Sequence, residues 1–183
     1  MKFSKLFLYA VSIALIAFFV DLITNMIQST GFVTADASFT FISFICWAAY
    51  FVIGASPKDG VKGMLGFFAG IVSAVLMFVL VGVFAGAGMD VGLLAIPLAV
   101  FFVVIGMMLL ERVPMFSMIP AVFMGTGMFF GLMGTPAIGA KGYLMVGIAE
   151  LVYAAIGFTA GWVTVLIRVA FEKSASKAKE ASM

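Results

Sequence analysis

The chain has 183 residues, 65% of them hydrophobic and only 10% charged, with a mean hydropathy of +1.29. A soluble domain of this size needs far more charged surface, so an integral membrane protein is expected. A net charge of +2 is too small to point to nucleic acid. With no His and one Cys (Cys46), a disulfide within the chain and a cysteine–histidine metal site are excluded.

Crossing the hydrocarbon core takes about 20 apolar residues per helix, and the sequence predicts six such spans. The first, residues 6–27, follows Lys2 and Lys5 as a signal peptide would. No small-x-small cleavage site comes after it, and Asp21-Leu22-Ile23-Thr24 continues the helix, so it is expected to stay as a membrane span. A polar separator at 28–37 leads to the second span, 39–55, and the Ser56-Pro57 turn to the third, 61–85. The fourth, 91–110, stops at Glu111-Arg112-Val113-Pro114, the tightest break in the chain. The fifth covers 115–133 and the sixth 143–169, the third and sixth being long enough to tilt. One bundle over 1–170 is therefore expected, with halves of about 1–86 and 87–170 and a short polar tail at 171–183 that frays.

Basic residues favour the cytoplasmic side. With the N-terminus inside, that side receives Lys2, Lys5, Lys58, Lys62, Arg112, Arg168, Lys173, Lys177 and Lys179, and only Lys141 falls outside. The predicted topology is N-in, C-in.

A phrase repeats between the halves: Ser56-Pro57-Lys58-Asp59-Gly60-Val61-Lys62-Gly63 returns as Thr135-Pro136-Ala137-Ile138-Gly139-Ala140-Lys141-Gly142. The same offset pairs Phe44 with Phe123, Phe51 with Phe130, Leu65 with Leu144 and Gly82 with Gly161. Three spans per half would mount the second half upside down on the first, an inverted repeat of the kind that recurs in transporters. In the phrase, Pro57 and Pro136 cannot continue a helix, and Gly60 and Gly139 tolerate unusual backbone. Lys62 and Lys141 can snorkel to headgroups at two pseudo-equivalent pathway mouths. Similar turns meet similar demands, so the phrase also has a purely local explanation. In the fifth span, Pro120, Gly125 and Gly127 weaken the helix and are expected to face a cavity or the bundle centre. Small-xxx-small pairs at Gly66–Gly70, Gly82–Gly86, Gly127–Gly131 and Gly157–Gly161 offer close helix contacts, mostly within the bundle and otherwise between copies of an oligomer.

Two carboxylates fall inside spans, Asp21 and Glu150. An Asp at the bilayer centre costs about 2.5–3.5 kcal/mol, so such groups are expected to face the interior and to serve function. Counting helical rise puts both roughly 10 Å below the outer boundary, with Asn25 and Tyr153 about one turn away as hydrogen-bond partners. The functional reading is a site for a cation, a proton or the NH groups of a solute; the structural reading is a protonated acid bonded to a neighbouring helix. Asp59, Asp90 and Glu111 lie at span ends and read as interfacial.

The sequence has no P-loop, no Asn-Pro-Ala pair, no Arg-rich helix and no catalytic histidine, and its fourteen Met are scattered as packing residues. No enzyme activity, cofactor or metal is expected. Trp47-Ala48-Ala49-Tyr50-Phe51 with Gly60-Val61-Lys62-Gly63, and Pro120-Ala121-Val122-Phe123-Met124-Gly125, resemble an uncharacterised family of small bacterial inner-membrane proteins. The resemblance implies a bacterial cytoplasmic membrane and assigns no residue a role. The residues themselves predict a small channel or facilitator for a small polar solute such as urea, ammonia or a short organic molecule, set in the bilayer as a homo-oligomer. One alternative is a proton- or cation-coupled transporter using Glu150; another is a non-transporting scaffold subunit.

Overall fold

The computed structural model describes residues 3–34 and 38–180, with side chains as far as Ser174. Lys2 and residues 35–37 of the predicted separator lie outside it, and of Lys177 and Lys179 only the backbone is described. The described residues form helices α1 (Phe3–Ser29), α2 (Thr40–Val52), α3 (Pro57–Gly86), α4 (Ile96–Leu109), α5 (Ile119–Met133), a single turn α6 (Pro136–Gly139) and α7 (Gly142–Glu180). Four stretches are long and apolar enough to cross a membrane: Phe3–Ser29, Pro57–Gly86, Val91–Arg112 and Gly142–Ser174. The protein is therefore membrane-embedded and all-helical over these residues.

The predicted second and fifth spans come out shorter than expected. α2 has 13 residues and α5 has 15, which at 1.5 Å per residue reach only about 20 and 22 Å of a ~30 Å core. Each has a local cause. α2 stops because Gly54 and Ala55 take positive φ, 129° and 56°, which a right-handed helix cannot contain. α5 starts late because the chain from Val113 to Met118 is irregular and Pro120, lacking an N–H, fits in a first helical turn. Pro120 thus begins a helix rather than kinking one, and α5 runs unbroken through Gly125 and Gly127. This corrects the expectation of a weakened fifth span.

Helix starts follow capping chemistry. Ser56 accepts the Asp59 N–H at 3.1 Å and donates its hydroxyl to Asp59 Oδ2 at 2.6 Å, with Pro57 in the first turn of α3. Asp90 accepts the Leu93 N–H at 2.7 Å and opens a wide π-helical turn, Val91–Ala95, that feeds α4. The repeated phrase folds unequally. Its first copy flows into continuous α3, whereas the second makes α6 and then breaks at Gly142, φ 81°, before α7. The tail expected to fray is helical as far as Glu180.

α3 and α7 are the central rods, crossing in opposite directions: Phe78 stacks on Tyr143 at 5.6 Å, and Phe67 meets Phe158 edge-on at 5.5 Å. The short helices lie along them. Against α3 runs α5, with Gly125 seated on the Phe67 backbone and the Thr126 hydroxyl donating to the Gly70 carbonyl at 3.0 Å. Against α7 runs α2, where Ser43 donates to the Tyr153 carbonyl at 2.7 Å and Trp47 Nε1 donates to Thr164 Oγ1 at 3.0 Å. α1 and α4 lie outermost, α1 on α7 and α4 on α3. Tyr9 near the start of α1 meets Phe171 on α7, and of the whole of α1 only Val20 and Thr24 are buried.

Candidate functional site

Spacing of three and four residues puts Val146, Glu150, Tyr153 and Gly157 on one side of α7, and all four are buried. Glu150 has 0% exposure, and among the described residues neither of its carboxyl oxygens has a hydrogen-bond partner. Its helical neighbours Val146, Ala149, Tyr153 and Ala154 belong to the main apolar cluster, together with Phe39, Ile42 and Cys46 from α2 and its approach. The Cys46 thiol lies within electrostatic reach of the carboxyl. Salt bridging does not help it: the ion pair found among the described residues, Arg168–Glu172 at 2.9 Å, is exposed farther along α7. A buried carboxyl with neither donor nor counter-charge is costly unless a proton or a cation arrives from outside the chain. Among the described residues, no group of three or more His, Cys, Asp or Glu could hold a metal ion.

Polar groups collect at the Tyr153 side chain, one turn along α7 from this carboxyl. The Tyr153 hydroxyl points to the Thr24 carbonyl at 3.5 Å. Thr24 Oγ1 shares a 2.8 Å hydrogen bond with Thr40 Oγ1, and the exposed Ser38 donates to Thr40 at 3.2 Å. The Phe39 ring stacks on Tyr153 at 5.3 Å. The expected Tyr153–Glu150 hydrogen bond is not made, because the phenol turns to α1 instead.

The other predicted residues divide. Asp21 and Asn25 do pair, Asn25 Nδ2 donating at 3.0 Å, but on the exposed face of α1, away from the buried cluster. Pro120 and Gly127 are exposed, while Gly125 is consumed by contact with α3. Lys62 is half-buried at the start of α3 and Lys141 exposed just before α7; since these helices are antiparallel, the two lie at opposite ends of the bundle. Pro57 and Pro136 each occupy a first turn; Gly60 is pressed on the Tyr50 ring, and Gly139 on the Met133 backbone. The residues overlooked by sequence reasoning are Ser43, Thr24, Thr40 and Tyr50. Tyr50 is fully buried with an unpartnered hydroxyl. Its only signal in the sequence was a polar atom within an apolar run.

The chain matches, over residues 10–167, the family described as a protein of unknown function, DUF1097. It belongs to that family. No curated protein and no solved structure matches it. The expected resemblance to an uncharacterised family therefore holds, and it brings no activity with it.

Proposed function

We propose that this protein is a small-solute membrane transporter in which Glu150 carries the coupling proton, with no catalysis in the chain. The observation carrying the proposal is a fully buried carboxyl whose two oxygens have no hydrogen-bond partner among the described residues. Energetically costly groups of this kind inside a membrane protein mark ion or substrate pathways.

Support comes also from the arrangement of helices. α2 lies on α7 as α5 lies on α3, and α1 on α7 as α4 on α3, when helices are paired by the repeat offset in the sequence. That pattern suits six crossings in two inverted halves, oriented N-in and C-in. Short apolar helices at matching places in two halves are the best pointer to a transporter's binding region, and α2 and α5 are such a pair. Irregular backbone beside them is tolerable at depth only where protein covers it; Val33 and Phe39 before α2 are buried in this way.

A coupled transporter is preferred to a passive channel because Tyr50, Tyr153, Phe39, Phe67 and Phe129 fill the interior. Apolar grooves of about 550 Å³ between α3 and α4, and about 430 Å³ beside Tyr50, run along the outside and are not lined by Glu150. A homo-oligomer is favoured by Gly82, Gly86, Gly127 and Gly131, where an added Cβ would meet nothing within 4 Å, leaving small-residue faces open to a second copy. Purified protein in liposomes holding an entrapped pH dye, challenged with urea, ammonium and short organic acids and amines, tests the proposal. At least one solute is expected to move protons in the wild type and not in Glu150→Gln. Proton movement unchanged in Glu150→Gln, or absent for every solute, overturns it.

A further inference from the structure

We infer that Glu150 is reached from one end only, the Ser38–Thr40 end of α2, with the Phe39–Tyr153 ring pair as the closing element. The inference deepens the coupling role of Glu150 and rests on it for its significance, though access to the carboxyl can be measured without any transport.

The two ends of the α2–α7 seam beside Glu150 are built differently. Toward Tyr50 the seam is closed by backbone. Gly157 lies so close to the Ser43 carbonyl that a Cβ there would collide with it and would come within 2.7 Å of Cys46 Cβ. One turn on, a Cβ at Gly161 would stand 2.6 Å from Tyr50 Cβ. Trp47 Nε1 ties the same stretch to Thr164 at 3.0 Å in a buried hydrogen bond. Opening a path there means separating two helices along their main chains, a collective motion on the microsecond to millisecond scale.

Toward Thr40 the described residues meet through a ring pair and hydroxyl contacts. α2 begins at Thr40, and Phe39 in front of it makes no side-chain cap. The Phe39 ring covers Tyr153 in a stacked pair at 5.3 Å with 30° between planes. Among the described residues the Tyr153 phenol is held by a 3.5 Å contact to Thr24 O, at the outer limit of a hydrogen bond. Beyond it the hydroxyls of Thr24, Thr40 and Ser38 lead to the surface at separations of 2.8 and 3.2 Å. Ring and hydroxyl rotations suffice to admit a proton carrier or a small cation from this side, and the hydroxyls offer the polar stops that the apolar seam lacks. The same asymmetry assigns Phe39 and Tyr153 as gate residues and Thr24 and Thr40 as the lining of the entry.

Dicyclohexylcarbodiimide, an apolar reagent that reacts with protonated carboxyls, reads access directly when its addition to Glu150 is followed by peptide mass spectrometry. Phe39→Ala is expected to speed Glu150 labelling at least about tenfold, equivalent to about 1.4 kcal/mol in opening free energy. Trp47→Ala, which strips a larger ring from the sealed side, should leave the rate within about twofold, under 0.5 kcal/mol on the same scale. Circular dichroism and monodisperse elution check that each variant is folded. Should Phe39→Ala fail to fold, Tyr153→Phe, which frees the ring from Thr24, replaces it with the same expected direction. Equal acceleration from both sides, or no acceleration from the Phe39 and Tyr153 variants, overturns the inference. Asymmetric labelling without proton-coupled flux would remove the coupling role and keep the access route; coupled flux with symmetric labelling would do the reverse.

Discussion

Gly157→Ala separates two glycine pairs that look alike in sequence. Gly157–Gly161 and Gly82–Gly86 share one spacing, yet Gly157 is wedged against Ser43 O and Cys46 Cβ, while Gly82 has nothing within 4 Å of where a Cβ would be. An added methyl at Gly157 meets main chain, which cannot rotate aside, so α2 must lift off α7. Forcing an extra methylene into a packed interior costs about 1–3 kcal/mol. The displacement also stretches the 2.7 Å Ser43–Tyr153 hydrogen bond, worth about 0.5–1.5 kcal/mol. Better helix propensity of Ala over Gly returns about 0.5–1 kcal/mol, leaving a net loss near 2 kcal/mol. At Gly82 only the propensity gain remains, so Gly82→Ala should be neutral or stabilising by about 0.5 kcal/mol. Reversible unfolding of the monomer in mixed micelles of mild detergent and dodecyl sulfate measures both variants. Equal stability of the two, within about 0.5 kcal/mol, would refute the close α2–α7 approach on which the sealed side of the seam depends.

Three further outcomes are expected in the same unfolding assay. Ala55→Gly should stabilise by about 1 kcal/mol, because Ala55 holds φ 56° in the left-handed region where a Cβ is penalised; a destabilised variant would show that the α2–α3 junction has another backbone shape. Ser56→Ala should cost about 1 kcal/mol by removing the acceptor of the Asp59 N–H, and an unchanged midpoint would deny that cap. Glu150→Met should unfold no more easily than wild type, since replacing an unpartnered buried polar group by an apolar one of similar shape is near neutral or stabilising. A loss above about 2 kcal/mol would mean that the carboxyl has partners within the fold.

The sequence by itself determined the solvent and the rods. So few charges among so many apolar residues admit little other than a membrane protein, and Pro57, Pro136 and Asp90 each set a helix start, because caps and prolines act within one turn. Glu150 was legible as a candidate for the same reason: a charge in an apolar run has an energetic cost wherever the run packs. Tertiary structure decided everything that depends on which side of a helix is covered. Asp21 and Glu150 read alike in sequence, yet one lies on the outer face of α1 and the other is enclosed between α7 and its neighbours. Gly66–Gly70 and Gly157–Gly161 became seams within the chain, whereas Gly82–Gly86 and Gly127–Gly131 were left facing outward. Helical spacing fixes which residues share a stripe, but the partner of that stripe comes from a helix distant in sequence. Only the packed bundle could show that Tyr153 turns to Thr24 and leaves Glu150 alone.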